Sequence, residues 1–323
     1  MAAGAADAQL WAWLLPSILA AAGLTSGELA TRALITYFRA DPNEYTTVDA
    51  SLLLGGVSIA ALALSPDGLL AALNQVPWYW AVIIGALRVG WTLAMTISVQ
   101  YAPNPGFAKI LVNLNAVFAV VVGVAVFGGT VNTTQLVGVA LSLAGGILCT
   151  LAPAAPSAAA KKSDDDPAAK APRNQGSSWA VAGLGAALLC VTGEMSSRWL
   201  TLKHDGDPAI FTQATLGMGA PLAVPALLRS MQARSQGTVT AGRVPIYVTV
   251  ALSLLRMQNQ VWVMEAVQNN ANPGLSKTMI NGLNTSLATI AGVIFFGSQL
   301  SVQAVAGVAL ALAGTYLTTA DPE

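Results

Sequence analysis

A ten-residue unit occurs twice, 168 positions apart, and it restricts the fold more than any other feature of the chain. Asn104-Pro105-Gly106-Phe107-Ala108-Lys109 runs into Ile110-Leu111-Val112-Asn113. Asn272-Pro273-Gly274-Leu275-Ser276-Lys277 runs into Thr278-Met279-Ile280-Asn281. In each copy a turn signal opens an apolar helix, with proline in the first turn, where its missing N–H goes unneeded. The lysine and the asparagine then stand four residues apart. Four residues turn a helix through about 400°, so the two side chains share one face.

The match extends far beyond this unit. Gly27-Glu28-Leu29-Ala30-Thr31-Arg32 answers to Gly193-Glu194-Met195-Ser196-Ser197-Arg198. Asp41-Pro42 answers to Asp207-Pro208, Thr46 to Thr212, and Val76-Pro77 to Val244-Pro245. Leu87-Arg88 answers to Leu255-Arg256, Val99-Gln100 to Val267-Gln268, and Phe127 to Phe295. The offset stays between 166 and 168, which marks a tandem duplication. The repeats cover 1–152 and 178–323. The polar stretch 153–177, with Lys161-Lys162-Ser163-Asp164-Asp165-Asp166-Pro167, reads as a linker between them.

Composition decides the medium. Only 9% of the 323 residues are charged and 54% are hydrophobic. A soluble domain carries about 25% charged residues. Apolar runs near 20 residues, the length that crosses a bilayer core, predict ten helices. They lie roughly at 10–37, 46–65, 77–101, 104–127, 131–152, 178–202, 208–230, 244–269, 272–296 and 300–319. Trp11, Trp13, Trp78, Tyr79 and Trp80 suit one membrane interface, and Tyr37, Phe38 and Tyr45 the other. Five spans per repeat is an odd number, so the two copies must sit in opposite orientations. The expected fold is an all-α membrane protein of ten transmembrane helices in two inverted five-helix repeats. Such a layout puts a site near mid-depth, between the copies.

With this layout the chain resembles the drug/metabolite transporter superfamily, in its EamA-like form. The resemblance covers essentially all ten spans. It rests on the five-plus-five arrangement and on the pattern from Asn115 through Val117-Phe118 to Phe127-Gly128-Gly129, repeated from Asn284 to Gly297. The family includes nucleotide-sugar transporters, plastid phosphate-ester translocators and amino-acid exporters. Ala116 stands where members often carry proline, and Asn281-Gly282-Leu283-Asn284-Thr285 only approximates the asparagine–lysine pair of nucleotide-sugar transporters. The resemblance implies a multi-pass secondary transporter, and with no Gly-rich phosphate loop and no nucleophile constellation with a partner histidine in the sequence, no enzyme is expected.

Charges inside the spans are the candidate functional groups, because each costs about 2.5–3.5 kcal/mol at the bilayer centre. Nine lie at least four residues inside those bounds: Glu28, Arg32, Arg88, Lys109, Glu194, Arg198, Arg256, Glu265 and Lys277. Six are basic and three acidic, an excess that favours an anionic cargo. Glu28–Arg32 and Glu194–Arg198 are spaced for ion pairs within one helix, which serve either to neutralise or to gate. Arg88 and Arg256 lie too deep to reach an interface, and each needs substrate or a structural partner. Gln258, Asn259 and Gln260 suggest that the eighth span lines a cavity. Lys109 with Asn113, and Lys277 with Asn281, form polar stripes; snorkelling of the lysines to headgroups is the competing reading. Glu265 and Lys277 stand at equal distances from the turn at Ala271 and are expected to pair. That leaves Lys109 free for substrate. Glu265 has a second reading, as a proton-coupling carboxylate.

The substrate-contacting candidates are therefore Lys109, Asn113, Arg88, Arg256, Lys277, Asn281, Gln258 and Asn259. The gating or coupling candidates are Glu28, Arg32, Glu194, Arg198 and Glu265. The expected function is alternating-access transport of a small polar anionic metabolite. The alternatives are export of amino acids or amphipathic compounds, and a channel or membrane scaffold. No cofactor or metal is implied; His204 stands alone in a polar segment. Zero net charge points to no nucleic-acid partner. The expected partners are a small molecule and lipid. Cys149 and Cys190 fall in apolar runs and read as packing residues. Gly138, Ser142, Gly145 and Gly146 with Ala306, Gly307, Ala313 and Gly314 allow close helix contact, within the chain or in a homodimer. No signal-peptide basic region and no glycine at position 2 open the sequence. The positive-inside rule places the termini away from the cytoplasm, whereas the resemblance implies cytoplasmic termini.

Overall fold

A computed structural model describes residues 2–40, 45, 54–65, 70, 74, 76–101, 105–151, 178–237, 242–296 and 301–319. The linker 153–177, the Asp41-Pro42 and Asn104 turn signals, and Thr46 lie outside them. So do the side chains of Arg32, Lys109 and Cys149, although their backbone is helical. The described chain is all-α. Its helices are α1 (Ala2–Phe38), α2 (Leu54–Leu64), α3 (Trp78–Tyr101), α4 (Pro105–Phe127), α5 (Thr133–Leu151) and α6 (Ser178–His204). They continue with α7 (Pro208–Gly219), a 3₁₀ turn (Ala220–Ala223), α8 (Val224–Ser235), α9 (Ile246–Asn269), α10 (Pro273–Phe296) and α11 (Val302–Leu317).

The turn signals act as caps. Asp207 accepts from the N–H groups of Ala209 and Ile210, and Pro208 opens α7. Asn272 accepts from Gly274 N–H at 2.9 Å ahead of α10. At the other end of α4, Gly128 takes a left-handed φ of 67°, and Gly129 N–H returns to Gly123 O. Pro16 inside α1 has no N–H to give Ala12 O, and Asn269 at the end of α9 supplies that bond at 3.1 Å.

Helices that correspond in sequence pack against each other. Gly145 lies against Ala311 and Gly307, and Gly138 against Gly314 and Thr318, so α5 and α11 run antiparallel. Asn115 meets Asn281, and Gly123 meets Asn272, so α4 and α10 also run antiparallel. The cross-contacts repeat in the same way: α3 packs on α6 as α9 packs on α1, and α4 on α6 as α10 on α1. The small residues of α5 and α11 are thus used within the chain, where a Cβ on Gly145 would strike the backbone of α11.

Among the described residues, three helical segments are long and apolar enough to cross a membrane: Leu10–Ile35, Trp78–Met95 and Ala180–His204. A fourth arises if the bent pair Pro208–Ala223 and Leu227–Ser235 is one span. This falls short of the expected ten. Polar residues weaken two of the helices: α9 carries Arg256, Gln258, Asn259, Gln260 and Glu265, and α10 carries Lys277, Asn281 and Asn284. Others are apolar but short: Leu54–Leu64, Leu111–Phe127, Thr133–Leu148 and Val302–Leu317. Large apolar side chains nevertheless cover the outside, among them Val121, Ile294, Val302 and Tyr316. Trp13 and Tyr45, expected at the interfaces, are instead buried among the helices.

Candidate functional site

The polar residues of the interior converge on one seam through the middle of the bundle. Its anchor is α10. Lys277 is 5% exposed, so it does not reach out to headgroups. Its Nζ donates to Glu194 Oε1 of α6 at 2.8 Å. One turn on, Asn281 Nδ2 donates to Asn115 Oδ1 of α4 at 2.9 Å. Asn115 in turn donates to the Cys190 Sγ at 3.4 Å, one turn before Glu194 on α6. The lysine–asparagine stripe therefore binds two different helices, and the ring closes through α6.

Two expected ion pairs are corrected here. Lys277 does not pair with Glu265. Equal depth is not equal facing: Ser276 is the residue turned toward α9, donating to Ala266 O at 2.9 Å. Lys277, about 100° further round, points at α6 instead. Glu265 is half-buried and has no hydrogen bond or ion pair among the described residues. Glu194 does not pair with Arg198 either. Arg198 donates from Nη1 to the Val267 carbonyl of α9 and stands 4.7 Å from the centre of the Phe127 ring of α4. Those partners lie nearer the helix ends than Glu194 does, and they turn the guanidinium away from it.

Arg88 on α3 has no hydrogen-bond partner among the described residues. Its Nε, Nη1 and Nη2 are all buried, and none of them bonds to a described residue. It interacts electrostatically with Glu194 and, unfavourably, with Lys277. Arg88 also lines a narrow cleft between α2, α3, α7 and α9, with Trp91, Thr92, Thr215 and Gln260. The Trp91 Nε1–H is buried and unpartnered as well. Buried donors without acceptors are costly, each by about 1–3 kcal/mol and more when charged. Together the two side chains form a donor set that lacks an acceptor.

Arg256, the sequence counterpart of Arg88, is placed differently. It donates to Thr31 Oγ1 on α1 at 2.5 Å and lies 6.0 Å from the Tyr45 ring centre. It therefore belongs to the α1–α9 contact. Asn259 is also taken up in that contact, buried against Gly23. Gln258, expected in the cavity, is exposed, and Gln260 lines the cleft in its place. Two residues along a helix is about 200°, so only one of the two can face inward.

Asn113 and Asn281 do come together, as their positions in the repeat suggested. They line a second cleft between α4, α5 and α10, with Ser142, Thr278 and Thr285. Glu28 is half-buried on α1. His204 ends α6 and is exposed, and no group of three or more metal-ligating side chains occurs among the described residues. Sequence reasoning missed Trp91, Asn115 and Cys190 as members of the site. Their only signal was position: Trp91 follows Arg88 by three residues, and Cys190 precedes Glu194 by four.

No protein-family model and no curated protein sequence matches the chain. Among solved structures, one described only as a crystal structure of a protein superposes with a TM-score of 0.68. The likeness covers 94% of this chain and 96% of that one at 18% sequence identity, and it speaks to the fold alone.

Proposed function

We propose that the protein is a multi-pass membrane carrier that moves a small polar anion by alternating access. It belongs to the EamA-like drug/metabolite transporters on this reading, with ten spans in two inverted five-helix repeats. The repeat supports this, as does the antiparallel packing of α4 on α10 and of α5 on α11. The observation that carries the anionic assignment is Arg88. Its buried guanidinium and the Trp91 indole N–H find no acceptor among the described residues, and both side chains line one cleft. The local charge agrees: Arg88 and Lys277 face a single carboxylate, Glu194, so one positive charge is uncompensated. An anionic group would satisfy both the charge and the donors, and a guanidinium fork suits an oxyanion.

The carrier reading is tested by counter-exchange in proteoliposomes loaded with carboxylates, phosphate esters, nucleotide sugars or amino acids. Saturable, trans-stimulated uptake of an anion is expected, and Arg88→Leu is expected to reduce it at least about 100-fold, the worth of two charge-assisted hydrogen bonds. Flux without saturation would indicate a pore. Thermal stabilisation by organic cations alone would overturn the anionic assignment.

A further inference from the structure

The cleft beside Arg88 limits how much negative charge a cargo can bring. Arg88 is the one charged residue among the described residues that line it. Thr92 and Thr215 line it too, but their hydroxyl protons go to the carbonyls of Arg88 and Thr212 on their own helices, at 3.0 and 2.9 Å. Beyond the guanidinium and the Trp91 indole, the Gln260 amide is the remaining side-chain donor among the lining residues. A second anionic group would meet that neutral amide and otherwise the apolar Leu54, Val89 and Leu216.

The charge count is equally narrow. Among the described residues, Arg88 is acted on by Glu194 and Lys277, and Lys277 by Glu194 and Arg88. A thiol is neutral at pH 7, so Cys190 beside them adds no charge. Two cations and one carboxylate leave one positive charge. A monoanion brings the site to zero. A dianion takes it to one negative charge, which is no better buried than the positive charge of the empty site. A phosphate monoester carries about −1.5 to −2 at pH 7 and fares no better.

The cleft is also thin. Gly85 of α3 lies so close to α7 that a Cβ on it would stand 2.7 Å from Gly219 N and Thr215 O. Gly55 of α2 lies as tightly against Ala220 of the 3₁₀ turn. Small residues draw these segments together and leave room for a slender body alone.

We infer that the cargo is a short monocarboxylate. Its carboxylate takes the planar Arg88 fork and the Trp91 N–H, and its small apolar body lies between α2, α3 and α7. The inference rests on the carrier reading above and narrows it: dicarboxylates, phosphate esters and nucleotide sugars are poor cargo.

The test is equilibrium binding, by calorimetry on the purified protein in detergent at pH 7.5, with butyrate, succinate and propyl phosphate as probes. Butyrate and succinate share a four-carbon chain and differ by one charge. Butyrate should bind at least about ten-fold more tightly than either dianion, the least that an uncompensated buried charge implies. Glu194→Gln leaves two positive charges, and succinate should then move ahead of butyrate. Lys277→Met leaves none, and butyrate should weaken at least about ten-fold. Dianions that bind the parent as tightly as butyrate overturn the inference. So does an unchanged order in Glu194→Gln, because charge is then not what selects. Binding of none of the three overturns it too. Should Glu194→Gln fail to fold, the order in the parent and the loss in Lys277→Met carry the decision. Failure here is separable from failure of the carrier reading, since saturable counter-exchange of a dianion would sink the first and support the second.

Discussion

The two halves share a sequence plan, yet their matching arginines do different work. Arg256 is built into the wall between α1 and α9, with Thr31 as its acceptor. Arg88 sits at the corresponding place on α3, where Ser197 is the counterpart of Thr31, and it bonds to no described residue. Thr31 and Ser197 both donate their hydroxyl to the carbonyl four residues back on their own helix, Gly27 and Gly193, and of the two only Thr31 accepts from its arginine. The comparison teaches that duplication supplies symmetric parts and that small differences in local pairing make one of them structural and the other free. On the proposed carrier reading that inequality has a use, because a fully satisfied interior has nothing left with which to hold a cargo.

The largest effect is expected at the pair that fixes the second half. Glu194→Gln leaves Lys277 buried without a counter-ion, and breaking such a pair typically costs about 3–5 kcal/mol. Thermal unfolding in detergent should show the loss, and Glu194→Gln combined with Lys277→Met should recover most of it. If the single variant is as stable as the parent, the pair does not hold α6 to α10.

The arginines come next, with opposite signs. Arg88→Leu removes an uncompensated charge and leaves Lys277–Glu194 balanced, so stability should rise by about 1–4 kcal/mol while anion exchange is lost. Arg256→Leu should lower stability by about 1.5 kcal/mol through the lost bond to Thr31. Paired melting curves settle the comparison, and two shifts of the same sign would erase the proposed division of labour.

A smaller change is expected where the halves meet. Asn281→Ala removes the bond to Asn115 across α4 and α10, worth about 0.6 kcal/mol on average between membrane helices. The smallest effects separate two neighbours on α9. Gln258→Ala should leave stability within about 0.5 kcal/mol and transport unchanged. Gln260→Ala should weaken apparent affinity about five-fold, roughly one neutral hydrogen bond. Equal effects at the two positions would put the cleft on another face of α9.

The all-α character and several helix boundaries were legible in the chain itself. The spacing of Lys277 and Asn281 placed them on one side of α10, and turn signals such as Asp207-Pro208 and Asn272-Pro273 set where helices begin. The glycines of α5 and α11 announced a close contact, which lies within the chain. Helix period and capping are local properties, so a linear sequence can carry them. Pairing is different, because it depends on which way a helix is rotated about its own axis. Glu265 lay at the right depth for Lys277, yet Ser276 takes the side that faces α9 and turns the lysine toward α6.

Sequence alone therefore determined the all-α character, the repeated pattern and the short roster of charges that an apolar interior has to accommodate. Tertiary structure decided how those charges are shared: Lys277 neutralised by Glu194, Arg198 clasping Val267 and Phe127, and Arg88 left over. The physical reason is that a buried charge is governed by the few ångströms around it. Residues scattered over most of the chain supply those ångströms, and only folding brings them into reach of one another.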